Sequence, residues 1–146
     1  MENELRLRII LENPTVGVDF GLQKGSGNKY ETVQKQLSIG KNLFFEFNAR
    51  VKLADNKSPV FLGSFVQGTP IDRFVYIDIG TYAGQKYSKW GRRLKIPLSG
   101  ITPDMIQQSF SNPNLVIETS VSGTGKDGGP NCGTVKPFSG WKLKVS

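Results

Sequence analysis

The chain has 146 residues, enough for one domain around one core, and its 37% hydrophobic content with nine Phe, four Tyr and two Trp excludes a disordered segment. It contains no histidine, which removes Ser-His-Asp and Cys-His nucleophile systems and histidine metal sites, while a lone cysteine, Cys132, excludes an internal disulfide framework. Nineteen Lys and Arg against twelve Asp and Glu leave a formal charge of +7, which favours anionic partners and, equally, plain solubility.

Residues 1–4 are acidic where a signal peptide is basic, and no apolar run approaches the roughly 18 residues of a membrane span. The expectation is a cytoplasmic protein without membrane contact, which the single thiol also suits. Residues 5–12 alternate, with Leu5, Leu7, Ile9 and Leu11 on one face of a strand. After the turn signal Asn13-Pro14, shorter strands are predicted at 18–23 and 30–37. The clearest strand is 43–53, where Phe45, Phe47, Ala49, Val51 and Leu53 point inward between Glu46, Asn48, Arg50 and Lys52. A turn at 55–59 leads to a further extended piece at 60–63.

Residues 73–79 are largely apolar on both alternations, as in a central strand covered on two sides, with Asp78 as the exception. Residues 93–98 alternate Leu94, Ile96 and Leu98 with Arg93 and Lys95, and Pro97 suggests an edge position. One helix is predicted at 103–110, with Thr102 as N-cap, Pro103 at the first helical position and Asp104 in the first turn. Strands at 115–121, 132–135 and 141–145 follow. The sum is a mainly β, single-domain chain (1–146), an antiparallel β-sandwich of C2-like or immunoglobulin-like type with about eight strands, or alternatively a β-barrel.

Residues 79–103 hold five cations, Lys86, Lys89, Arg92, Arg93 and Lys95, and no acid, interleaved with Tyr82, Tyr87 and Trp90. Guanidinium groups pair with oxyanions while rings stack, so this is where an anionic ligand is expected. The candidate ligand-binding residues are Arg73, Tyr76, Asp78, Tyr82, Lys89, Trp90, Arg92 and Arg93. The bland alternative makes Trp90 and Leu94 core and the cations guards of an edge strand. Asp72 and Asp78 are no acid/base pair, because six strand residues separate them by about 20 Å, and Asp78 is expected to accept an Arg or a hydrogen bond from a neighbouring strand.

Gly123-Thr124-Gly125-Lys126-Asp127-Gly128 matches the dinucleotide fingerprint in spacing, but Gly129-Pro130 follows where that mechanism needs a helix, and Asp127 stands where a P-loop needs Ser or Thr. Cys132 has no histidine to act as its base and reads as an inert thiol. No catalytic residue, metal or cofactor is implied.

Five stretches read together resemble a known family. They are residues 13–23 (Asn-Pro-Thr-Val-Gly-Val-Asp-Phe-Gly-Leu-Gln), 63–68 (Gly-Ser-Phe-Val-Gln-Gly) and 73–77 (Arg-Phe-Val-Tyr-Ile), then 90–98 (Trp-Gly-Arg-Arg-Leu-Lys-Ile-Pro-Leu), and 127–132 (Asp-Gly-Gly-Pro-Asn-Cys) with Gly140-Trp141. The chain is similar to a bacterial family of small proteins catalogued as a domain of unknown function, family 5990. The resemblance spans nearly the whole chain, implying one domain, and brings no activity or site residue. The residues themselves point to a binding module for an anionic small molecule, glycan or protein partner. A histidine-independent lyase, isomerase or transferase using Asp78, Arg73, Tyr76 and Arg92 is the alternative, and nucleic-acid binding ranks below both. A deep pocket joining Asp78, Arg92 and an aromatic would favour the enzyme, a flat aromatic patch the partner.

Overall fold

The computed structural model describes residues 2–25, 30–53, 59–83, 86–123, 133–134 and 140–145, without the side chains of residues 2, 3, 31, 81–92, 133 and 134. It is a sandwich of two sheets that do not close into a barrel. The first sheet contains β1 (Glu2–Glu12), β4 (Leu43–Lys52), β5 (Val60–Leu62), β9 (Leu115–Ser122) and β11 (Lys142–Val145), in the order β11-β9-β1-β4-β5. The second contains β2 (Asp19–Gln23), β3 (Tyr30–Lys35), β7 (Asp72–Ala83), β8 (Lys86–Pro97) and β10 (Gly133–Thr134), in the order β10-β8-β7-β2-β3, and β6 (Gln67–Thr69) also pairs with β7.

Period-two patterning makes these elements what they are. Each residue of β4 is buried or exposed in strict alternation, and Leu5, Leu7, Ile9 and Leu11 of β1 are wholly buried beside it. The second sheet answers with Phe20 and Leu22, Val75, Ile77 and Ile79, and Leu94, Ile96 and Leu98. A fully buried side chain of this size contributes about 1.5–3 kcal/mol over its exposed state, so these faces outweigh local propensity and fix which way every strand points.

On the solvent side of the first sheet, Arg8 joins three strands. It stands opposite Glu46 of β4 and Glu118 of β9, with Nη2 2.6 Å from Glu46 Oε1 and Nη1 2.8 Å from Glu118 Oε2. The one helix among the described residues, α1 (Pro103–Ser111), begins where the sequence places it: Thr102 is extended, and its hydroxyl accepts the Met105 N–H at 3.2 Å. Ile106 anchors α1 in the core against the first sheet. Trp141 is buried beside Gly100 and donates its indole N–H to the Pro97 carbonyl at 3.0 Å, tying the lead into β11 to the end of β8. No helix among the described residues is long and apolar enough to cross a membrane.

The structure departs from the expected picture in four respects. Two pairings are parallel, β1 with β9 and β10 with β8, because these strands meet across long stretches of chain and no hairpin dictates their direction. Eleven strands are described in place of about eight; β5 and β10 fall on the expected extended segments 60–63 and 132–135, and β6 lies where no strand is expected. β8 is an edge only in part: β10 covers it at Leu94 and Lys95, while Pro97, its last residue, pairs with β7 alone among the described strands. Finally, β7 and β8 are each twelve residues long. β2 pairs with β7 only as far as Gly80, so residues 81–83 and 86–89 continue as a two-stranded ribbon whose described pairing is with itself alone.

The β6–β7 hairpin turns at Pro70-Ile71 and depends on Gly68, whose φ is +93° and whose added Cβ would fall 2.1 Å from the Asp72 carbonyl oxygen and 2.7 Å from the Phe74 ring. Gly68→Ala is therefore expected to lower the unfolding free energy by about 2–4 kcal/mol. Gly17→Ala, at φ +89° with open space around it, is expected to lose only the backbone strain of about 1 kcal/mol. Urea denaturation of both variants checks this, and equal losses would contradict the steric account.

Candidate functional site

Because Val75, Ile77 and Ile79 of β7 face the core, Phe74, Tyr76 and Asp78 face outward. An outward carboxylate in mid-sheet is normally hydrated, yet Asp78 is only 1% exposed. Its cover is Arg93, its register partner on β8, whose Nε lies 2.6 Å from Oδ1 and Nη2 3.1 Å from Oδ2. Tyr30 of β3 donates its hydroxyl to Oδ2. β2 runs between them, but its residue opposite Asp78 is Gly21, which puts no side chain in the way. The hydrogen bonds from Arg93 to Asp78 raise the pKa of the guanidinium against the opposing effect of its partial burial.

A band of cations and rings continues from this pair along the open face of the sheet. The Arg93 guanidinium lies 4.3 Å from the Tyr76 ring centre, Tyr76 and Phe74 pack at 4.9 Å with their planes tilted by 54°, and Lys95 Nζ lies 4.3 Å from the Phe74 ring. Lys95 also approaches Asp72 at 3.8 Å. Of the eight residues expected to bind a ligand, Tyr76, Asp78 and Arg93 thus come together. Arg73 does not join them. The backbones of Tyr82, Lys89, Trp90 and Arg92 lie in the β7–β8 ribbon and its root, and their side chains lie outside the described set.

Arg73 shares the inward alternation of Val75, at the opposite end of β7 from the ribbon. It lines a groove of about 770 Å³ at the end of the sandwich, where Phe61 of β5, Ile71 at the β6–β7 turn, Leu98, Ile101 and the start of α1 meet. Its Nη1 donates to the Gly68 carbonyl, while Nε is buried without a hydrogen-bond partner. Leu98 N–H donates to the Arg73 carbonyl at 3.0 Å, which fixes the backbone on both sides. Cys132 and residues 124–131 lie outside the described residues. Gly123, first of that glycine run, has a packing role, because a Cβ there would lie 2.6 Å from Pro14 Cα, and its N–H donates to the Glu12 carbonyl at 2.8 Å.

A family model described as a family of unknown function (DUF5990) matches residues 5–144, and the chain belongs to that family. No curated protein and no solved structure matches it.

The Asp78 network has a measurable cost of removal. Arg93→Met leaves a buried carboxylate without its counter-charge, and the expected loss of stability is about 2–4 kcal/mol, toward the lower part of the range for broken buried pairs because Arg93 is partly exposed. Tyr30→Phe removes one hydrogen bond to a charged group and should cost about 1.5–3 kcal/mol. Losses within about 0.5 kcal/mol, typical of surface changes, would show by chemical denaturation that the network contributes nothing.

Proposed function

Membership of a family of unknown function assigns no activity, and from the arrangement of its charges we propose that the protein is a binding module rather than an enzyme, meeting an anionic partner at the β7–β8 ribbon. One observation carries this reading. Of the five cations between residues 79 and 103, only Arg93 stands opposite a carboxylate in the register among the described residues. Lys86 stands opposite Ala83, Lys89 opposite Thr81 and Arg92 opposite Ile79. Lys95 stands opposite Tyr76 and reaches the exposed Asp72 only at 3.8 Å. Like charges spaced along one strand sum their potentials where no acid stands opposite in the register to offset them.

The enzyme reading loses its first candidate in the same arrangement. Both Asp78 oxygens accept hydrogen bonds within the sheet, Oδ1 from Arg93 and Oδ2 from Arg93 and Tyr30, so the carboxylate is engaged structurally rather than presented to a substrate. Cations strung along two strands suit a partner with repeated negative charge, such as a sulfated glycan or an acidic protein segment. Nucleic acid fits less well, because the helix α1 lies beyond the far end of β8 and no recognition helix accompanies the ribbon among the described residues.

Binding to heparin oligosaccharide at two salt concentrations tests this. The Lys86→Gln, Lys89→Gln, Arg92→Gln variant is expected to lose about tenfold or more in affinity at low salt and to show a shallower salt slope. A variant with Lys24, Lys35 and Lys57 changed to Gln removes the same charge from scattered positions and should stay within about threefold of wild type. Equal loss in both variants would reduce the effect to net charge and remove the ribbon as a site.

A further inference from the structure

A second site lies at the opposite end of the sandwich from the ribbon. We propose that the groove holding Arg73 binds a small amphipathic acid, with the carboxylate on the guanidinium and the apolar body along Phe61, Leu98 and Ile101.

Three observations converge on it. Arg73 occupies an inward position of β7, in line with Val75, Ile77 and Ile79, where the same alternation otherwise delivers only core. A cation there is exceptional, since guanidinium groups at inward strand positions are buried only against a partner. Among the described residues Arg73 has no carboxylate partner: Nη1 is held by the Gly68 carbonyl, Nε is buried without a hydrogen-bond partner, and the described groove lining contains no Asp or Glu. With Nη1 on the Gly68 carbonyl and Nε enclosed by the protein, the remaining terminal nitrogen is left for an acceptor, and a carboxylate there supplies the counter-charge that the described lining lacks.

The remainder of the groove defines what that carboxylate is attached to. Its wall is aliphatic and aromatic, and a volume of about 770 Å³ falls among small-molecule sites. At the rim Ile71 is 96% exposed on the hairpin tip, an apolar surface that a ligand body would cover. One cation at one end of an apolar trough matches an acid with a single charged head and a hydrocarbon body. The hairpin bond from Arg73 to Gly68 holds the guanidinium oriented before any ligand arrives, which lowers the ordering cost of binding.

Amide chemical-shift titration of the full chain with octanoate, octanol and octyltrimethylammonium reads the proposal directly. Octanoate is expected to shift resonances of Phe61, Ile71, Leu98 and Ile101, with octanol at least about tenfold weaker and the cation weaker still. Arg73→Met, which keeps an apolar stem, should bring octanoate to the level of octanol while circular dichroism stays unchanged. Ser99→Trp, at an exposed lining position, should narrow the trough and abolish binding without touching the guanidinium, so the proposal stays testable if Arg73→Met fails to fold. Changing Lys86, Lys89 and Arg92 should leave octanoate affinity as it was, which separates this site from the ribbon. Equal binding of octanoate and octanol to the wild type, no binding of octanoate, or binding instead of a peptide with a free hydrophobic C-terminus would each overturn the proposal.

Discussion

The period of two along β7 governs both candidate sites. Val75, Ile77 and Ile79 are committed to the core by the hydrophobic effect, and once three residues of a strand are committed the other positions have no choice of face. Asp78 is thereby held on the outside of the sheet and Arg73 on the inside of its end. A slip of one residue would carry the Asp78 carboxylate into an apolar interior, where the desolvation penalty far exceeds any single packing gain. The strand therefore has one register, and Arg73 near its start and Asp78 in its middle inherit their different environments from the apolar residues that alternate with them.

The two sheets share a device on their solvent faces. In one, Arg8 spans Glu46 and Glu118 across three strands; in the other, Asp78 collects Arg93 and Tyr30 from strands on either side of β7. In both cases a strand with neighbours on both sides carries a charge that gathers partners from other strands: Arg8 from register positions on β4 and β9, Asp78 from Arg93 in register on β8 and from Tyr30 on β3, beyond β2. Arg8 and Glu46 are well enough hydrated that their pairing adds little stability, whereas their value as a register mark does not depend on its strength. An incorrect register would set like charges or unpaired charges side by side.

Strands were legible in the sequence wherever one face is buried and the other wet, as in β1 and β4, because burial writes an alternation that survives without any knowledge of neighbours. The helix was legible for a different reason: Thr102, Pro103 and Asp104 each satisfy a local requirement of a helix start. The direction of β9 beside β1 was not, since pairing between distant segments leaves no mark in either one. The same divide runs through the sites. That Asp78 takes an arginine from a neighbouring strand follows from the cost of a bare charge, and Arg93 fills that role. Tyr30 lies 48 residues away, and nothing near it in the chain signals its bond to Asp78. The inward position of Arg73 could be counted from Val75 and Ile77, but the groove around it is assembled from β5, the β6–β7 turn and the start of α1, which only the folded chain brings together.

The place of β1 also bears on how the chain reaches its fold. This first strand lies between β4 and β9, and its partner positions on β9 are about 110 residues further along the sequence. During synthesis β1 emerges first and can pair with β4 early, yet its other edge has no partner until residue 122 has left the ribosome. Closing so long a loop makes the β1–β9 pairing a late, entropically costly step. Until then the nascent chain displays a strand of alternating Leu and Ile with one open edge, the feature that recruits other chains into aggregates. Glu4, Arg6, Arg8 and Glu12, on the alternation opposite the leucines, keep that face of the strand charged during the wait, which hinders its burial against another chain.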